Sequence, residues 1–570
     1  ITDSVLPGNE VNLIIDQIPA GQQAVIELRA RVDNNAFAQE AVVFDNSASY
    51  TYADSPNGLP NNAGTSGVTG TPVSITEPFV SVSKSVENIT KPGPPSGLPP
   101  DAGDILRYTV TLAASGGNVA PADFFSDAFD VSLADNLSLG LAYNGNLSVD
   151  GGNTIDAPTI VGDGVTTPQS LSWSLDEGNA DIDVTEGATV TVNYDVLVLD
   201  SVLADQNLRN SVDIQWSSRD GPDVNERDGS DAPAFPSLND YFNLVSATTL
   251  QTTPDNNTVI KTRLSDTYNP ADNIVRIGDI IEYELRINMQ EGTSANFVIQ
   301  DALPEGLQFE QTVSINGQTV APYSAVAPFS HTAIPSAVVA GDPTTGPTTV
   351  SWNAGDVINA GDNLANDDFV IVYRARVLNL VHPQQNNIPL NNTVDVDYNM
   401  ASGAAPTKTS SQALDLRQPN LSLTKDSVPV GGSIIGAGDI VTYTVEITNS
   451  GTTPAYDTEL RDVIPFGMRN AGVTMISMQL LSGTPLPAPL APVFDPASGN
   501  ATWNFDTGVA DQYNIPAGDT LQIVYQLQAD AGLGAGATLT NQAQVQFYYS
   551  FDNDATPAVG SITGVREIYG

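Results

Sequence analysis

Leu421-Ser-Leu-Thr-Lys425, Gly438-Asp439-Ile-Val-Thr-Tyr443-Thr-Val-Glu-Ile447, Asn449-Ser-Gly451 and Leu460-Arg-Asp462-Val-Ile-Pro465 follow one another in a single short stretch. Apolar and polar residues alternate in it, which is the signature of strands whose successive side chains point to opposite faces. Three strands are expected here. Lys425 is in phase with Leu421 and Leu423, and Asp462 is in phase with Leu460, so two charged groups share the apolar faces of their strands. An unpaired ammonium on such a face would be costly.

The same pieces recur. Val80-Ser-Val-Ser-Lys84, Gly103-Asp104-Ile-Leu-Arg-Tyr108, Asp127, Trp173, Val190-Thr-Val-Asn-Tyr194 and Asn210-Ser-Val-Asp-Ile-Gln-Trp216 make one unit. Val259-Ile-Lys261, Gly278-Asp279-Ile-Ile-Glu-Tyr283, Asp301-Ala-Leu-Pro304, Trp352, Tyr373 and Asn392-Thr-Val394 make the next, and Lys425, Asp462, Trp503, Tyr525 and Asn541-Gln-Ala543 the last. A period of roughly 160–175 residues reads as a tandem array. Its expected domains are 78–236, 237–418 and 419–570, each a complete sandwich. Residues 1–77, with Val25-Ile-Glu-Leu-Arg-Ala-Arg-Val32 and Asn46-Ser-Ala48-Ser-Tyr50-Thr-Tyr52, match only the second half of a repeat. Its first strands are expected from upstream residues or from a neighbouring subunit, since open strand edges seek pairing.

Strand-length runs between turn residues, with no sustained helical period, imply an all-β chain of antiparallel sandwiches. Short connections such as Ser74 to Phe79 and Asp415 to Asn420 imply a rod. The tryptophans and Tyr108, Tyr283 and Tyr443 are expected as core packing. The formal charge of −46 and pI near 4.1 exclude nucleic acid as a partner, while 41% hydrophobic residues are enough to build cores. With no cysteine, neither disulfides nor thiolate metal sites are available. No long apolar span calls for membrane insertion. The two histidines, His331 and His382, have no nucleophile motif beside them, so the chain is not expected to be an enzyme acting on a substrate.

The Lys-bearing first strand, the Gly-Asp before a Tyr-containing strand, Asn449-Ser-Gly451, Asp462-Val-Ile-Pro465 and the Asn541-led last strand carry a resemblance. They resemble the surface-repeat family catalogued as domain of unknown function 11, and are similar to the isopeptide-forming domains of bacterial fimbrial proteins and adhesins. The likeness covers the three complete repeats and half of the first, and is thinnest where Asp127 lacks a following Leu-Pro or Ile-Pro. It implies immunoglobulin-like sandwiches in a long extracellular, cell-surface protein.

Only five lysines occur, and three of them, Lys84, Lys261 and Lys425, hold the same inward position on a first strand. Asn210, Asn392 and Asn541 recur on the last strand. Asp127, Asp301 and Asp462 lie 22 or 23 residues after the Asp of Gly-Asp, with Asp123 and Asp130 as alternatives to Asp127. Brought together in an apolar core, Lys and Asn can form an amide with loss of ammonia, the Asp acting as acid. The pairs expected are Lys84–Asn210, Lys261–Asn392 and Lys425–Asn541. A buried ion pair with an attendant Asn, or lysines reaching out to water, are the competing arrangements.

The functional expectation is a structural, load-bearing segment of a filament, stalk or large adhesin, whose partners are further repeats or copies of itself. Glycan or receptor binding by sandwich-end loops, and an acidic calcium-dependent surface layer, are the alternatives. Asp220, Asp223, Asp228 and Asp231 lie in a loop with hard oxygen ligands suited to Ca²⁺ but without EF-hand spacing. No other cofactor is expected.

Overall fold

The computed structural model describes residues 2–6, 10–35, 42–53, 62–64, 72–94, 96–114, 126–234, 237–265, 273–319, 325–378, 388–509, 512–550, 552 and 568–569. His382 and Asp123 lie outside them. All regular structure among the described residues is β, and no helix is long and apolar enough to cross a membrane. Three separate apolar cores define three immunoglobulin-like antiparallel sandwiches.

The first sandwich shows the plan. One sheet places Val80–Asn88 at its edge, beside Ile105–Ala114, then Thr189–Val198 and Leu141–Tyr143. The facing sheet runs Thr159–Val161, Gln169–Trp173, Phe129–Leu137, Asn207–Ser217, Phe242–Gln251. Burial alternates strictly along Ile105–Ala114 and Ile440–Asn449, as the period-two sequence pattern requires. The second and third sandwiches repeat the plan with Thr258–Ser265 and Leu421–Val428 as the Lys-bearing edge strands. The inner-facing Trp173, Trp352 and Trp503 are fully buried, as are Tyr108 and Tyr283.

One expected boundary moves. Phe242–Gln251 falls beyond residue 236 yet pairs along Asn207–Gln215 and completes the second sheet of the first sandwich. In the second sandwich Lys408–Leu416 covers the last strand in the same way, from Ile388 to Val396. A closing strand after the Asn-bearing strand is therefore part of each unit.

Residues 1–77 behave differently. Their described parts form three two-stranded pairings, and the segment Val25–Val32, expected as a strand, carries no regular structure. Val25 is 75% exposed, and Leu28, Tyr50 and Tyr52 are about half exposed. No second layer faces these side chains among the described residues, so the alternating pattern has nothing to pack against.

Contacts tie each sandwich to the next. Arg227 pairs with Glu77 and donates from Nε to Asn34 Oδ1 at 3.1 Å, linking residues 1–77 to the first sandwich. Thr293 N donates to Val202 O at 2.8 Å and Ala401 N to Ala204 O at 3.1 Å between the first and second. Thr452 N donates to Gln418 O at 2.9 Å and Ser550 Oγ to Ile277 O at 3.3 Å between the second and third.

Candidate functional site

The register explains how each sandwich assembles its polar centre. Asp301 pairs with Val394, two residues along from Asn392, and Asp462 pairs with Ala543, two along from Asn541. In the first sandwich it is Asp135 that pairs with Val212, two along from Asn210. Residues two apart share a face, so carboxyl and carboxamide lie side by side on the inner surface of the second sheet. The lysine comes from the edge strand of the opposite sheet, where Lys84, Lys261 and Lys425 pair with Val110, Leu285 and Val445.

Asp127, expected as the acid of the first sandwich, is not there. It precedes the strand Phe129–Leu137 and accepts the Glu186 N–H at 2.7 Å, while the ammonium of Lys84 meets Asp135. Asp130, the alternative, sits apart from Lys84 in a group with Asp181 and Asp183. The physical reason is a longer separation: the described strand after Ala114 is the one that begins at Phe129, whereas those after Met289 and Asn449 begin at Gly292 and Tyr456. A fixed spacing from Gly-Asp therefore lands short. A better guide was present in the sequence, since Asp135-Asn-Leu-Ser-Leu-Gly140, Asp301-Ala-Leu-Pro-Glu-Gly306 and Asp462-Val-Ile-Pro-Phe-Gly467 share the acid, an aliphatic residue and a glycine. All three glycines adopt positive φ, at 89°, 92° and 115°, where other residues are strained.

Each ammonium meets its carboxylate inside the core. Lys84–Asp135 and Lys261–Asp301 are fully buried pairs, and Lys425 lies 2.6 Å from Asp462 with its side chain 11% exposed. Burial is the largest influence on both partners. It lowers Lys84 and Lys261 from 10.5 to about 8, against the opposing pull of their aspartates, and lowers Lys425 as well. Burial likewise raises Asp135, Asp301 and Asp462, with the lysine opposing. Both shifts favour a neutral amine beside a neutral acid.

A fourth residue completes the group, and its chemical part was not read from the sequence. The hydroxyls of Tyr194 and Tyr373 donate to Asp135 Oδ2 at 2.5 Å and Asp301 Oδ2 at 2.9 Å, and Tyr525 does the same to Asp462. The same hydroxyls accept from Asn210, Asn392 and Asn541 Nδ2 at 3.0, 2.8 and 2.9 Å. These tyrosines are visible in the sequence as repeat markers, but period-two burial alone does not separate a hydrogen-bonded phenol from a packing ring.

In all three sandwiches the same two atoms, the outer carboxyl Oδ1 and the carboxamide Oδ1, are buried without a hydrogen-bond partner. A carboxylate oxygen and a carboxamide oxygen left like this are expensive. A carboxylic acid would add the one donor that such a pair of acceptors lacks.

Three of the four loop aspartates expected as calcium ligands accept local backbone hydrogen bonds. Asp223 Oδ1 accepts Asn225 N at 2.9 Å, Asp228 Oδ1 accepts Ser230 N at 3.0 Å and Asp231 Oδ2 accepts Asn239 N at 3.1 Å. Asp220 adds its charge beside Asp130 and Asp183, whose carboxyls are raised chiefly by burial.

No family model matches the chain, and no curated protein matches it. Among solved structures the chain is similar to the C-terminal domain of the AgI/II polypeptide BspA of Streptococcus agalactiae, at 10% identity over 59% of this chain and 99% of that one, TM-score 0.21. It is similar to a C-terminal fragment of the major pilin GBS80 of Streptococcus agalactiae, at 11% identity over 55% and 91%, TM-score 0.21. It is also similar to a collagen adhesin of S. aureus, at 11% identity over 60% and 97%, TM-score 0.16.

Proposed function

We propose that each complete sandwich closes an isopeptide bond between Lys Nζ and Asn Cγ, and that the chain is a load-bearing segment of an extracellular filament, stalk or large surface adhesin. The bonds are Lys84–Asn210, Lys261–Asn392 and Lys425–Asn541, with Asp135, Asp301 and Asp462 as acids. The observation that carries this is the threefold recurrence of one buried Lys–Asp–Asn group in a chain with five lysines. A neutral amine is a nucleophile, a neutral acid can polarise the carboxamide, and enclosure supplies the effective concentration that an unreactive amide needs.

The placement favours a mechanical role. Each bond joins the edge strand of one sheet to a late strand of the other, so a pull between the ends of a sandwich would pass through the crosslink and leave the intervening strands unloaded. Hydrogen bonds from sandwich to sandwich support a continuous rod built of further repeats or copies of itself. Intact-mass analysis of the purified chain tests the proposal. A deficit of one ammonia per sandwich is expected, with fragment ions joining Lys261 to Asn392. A full mass would overturn the crosslinks and leave three buried ion pairs.

A further inference from the structure

We infer that the hydroxyls of Tyr194, Tyr373 and Tyr525 are catalytic groups of the self-crosslinking reaction, relaying the proton that lets ammonia leave. The inference rests on the crosslink reading above. Its basis is position: each hydroxyl sits between the Asp Oδ2 to which it donates and the Asn Nδ2 from which it accepts. In the second sandwich Lys261 Nζ is also 3.0 Å from Tyr373 Oη, so the attacking and the leaving nitrogen both touch one oxygen.

The rings are held for this. Tyr194, Tyr373 and Tyr525 stack on Tyr108, Tyr283 and Tyr443 with centroids 5.7, 5.3 and 5.5 Å apart. Trp173, Trp352 and Trp503 lean on the same three rings at 5.6, 5.5 and 5.5 Å and 46–48°. The stacked partners make the contrast that matters. Tyr108 and Tyr283 are as deeply buried, yet neither hydroxyl bonds to the acid, and that of Tyr108 has no hydrogen-bond partner. These partner rings serve through their faces, with the Lys Nζ 5.2, 5.0 and 4.9 Å from the centroids of Tyr108, Tyr283 and Tyr443, whereas the acid and the carboxamide engage the hydroxyl of the other ring. Burial raises Tyr194 and Tyr373 well above the usual phenol range, which keeps the hydroxyl protonated, able to donate and to accept at once.

The step balances without any outside reagent. The Nζ–Cγ bond forms and the Cγ–Nδ2 bond breaks. One proton passes from Nζ to the Asp carboxyl, while the Tyr hydroxyl gives its proton to Nδ2 and is reprotonated by that carboxyl. Ammonia leaves, and Asp and Tyr end as they began.

Tyr373→Phe in the full chain is the test, with the crosslinked fraction of each sandwich followed by peptide mass spectrometry at intervals after synthesis is stopped. The second sandwich should close roughly a hundredfold more slowly, the scale of general acid–base assistance. The first and third should close at the wild-type rate in the same molecules. Tyr108→Phe, which removes only the unpartnered hydroxyl of the first stack, should leave all three rates unchanged. If Tyr373→Phe hinders folding, Tyr194→Phe and Tyr525→Phe repeat the measurement in the other sandwiches. Equal rates in the Phe variants and the wild type would overturn the relay while leaving the crosslinks standing. A wild-type chain with no ammonia deficit would overturn the crosslinks themselves.

Discussion

The second and third sandwiches hold the same four residues in the same register, but the second centre is sealed while the lysine of the third keeps 11% of its side chain exposed. Lys261, Asp301 and Asn392 are sealed, and Lys408–Leu416 lies over the Asn-bearing strand with Gln412 opposite Asn392. In the third, Ile568–Tyr569 reaches the corresponding strand at Tyr548 and Tyr549, away from Asn541, which is only partly buried. Tyr443 keeps 9% exposure where Tyr283 keeps none. Register assembles the same group in both, and where a described closing strand lies beside the Asn, as Gln412 lies opposite Asn392, the lysine is sealed. The dielectric, not the residue list, then decides how strongly the amine and the acid are neutralised.

The largest effect should come from removing the acid. If the crosslinks form as proposed, Asp301→Ala should prevent closure and forfeit ~4–5 kcal/mol by the chain-entropy argument for loops of more than a hundred residues. It also leaves Lys261 buried without its partner, which costs on the order of 3–5 kcal/mol more. Asp462→Ala should lose its own crosslink, Lys425–Asn541, but Lys425 can reach water and the second cost shrinks. Thermal unfolding should therefore show a deeper drop for Asp301→Ala. Equal drops would erase the distinction between a dry and a wet centre.

Alkaline titration sharpens the same comparison. In Asn392→Ala, Lys261 remains a free amine with a folded value near 8 against 10.5 unfolded. Between those values the unfolded chain binds more protons, so stability climbs with pH, by at most about 1.4 kcal/mol per unit. Asp301, raised on folding, acts with the opposite sign from its ordinary 3.8 upward through its folded value. A wild type crosslinked as proposed has no Lys261 amine to titrate and should lack the alkaline climb. Asn541→Ala should show a shallower one, measured by denaturant unfolding at pH 8 to 10.5.

Amine-reactive labelling reads exposure directly. In a chain carrying both Asn392→Ala and Asn541→Ala, Lys425 should be modified before Lys261, because only the former presents its side chain to solvent. Simultaneous labelling would mean that the third centre is closed in solution by residues other than Ile568–Tyr569.

Much of this arrangement was legible beforehand. Alternation located Lys84, Lys261 and Lys425 on apolar faces, and the phase of Asn210, Asn392 and Asn541 placed them inward. Failure came where a count replaced a register. Asp127 was reached by spacing across a connection of variable length, whereas Asp135 is fixed by pairing with Val212 and Leu171, which no single strand reveals. The closing strand was missed at Phe242–Gln251 for a related reason: its partner, Asn207–Ser217, is what makes it a strand of that sheet. The tyrosine hydroxyls depend on an inter-sheet distance, a quantity absent from any one-dimensional pattern.

The smallest effect is the most pointed. Lys261 N–H donates to Ser410 Oγ at 3.0 Å, a hydrogen bond that pins the closing strand of one sheet to the Lys-bearing strand of the other. Ser410→Ala removes that acceptor without touching Lys261 Nζ, Asp301, Tyr373 or Asn392. The direct loss should be about 1 kcal/mol, the ordinary scale of such a bond. If the closing strand governs wetness, the consequence exceeds the loss of stability: combined with Asn392→Ala, the change should speed labelling of Lys261 toward the rate of Lys425. It should also flatten the alkaline climb, because a wetter amine is less depressed. A Ser410→Ala chain that loses the stability but keeps Lys261 as slow to label as before would show that the dryness of the second centre comes from its core packing rather than from the strand that covers it.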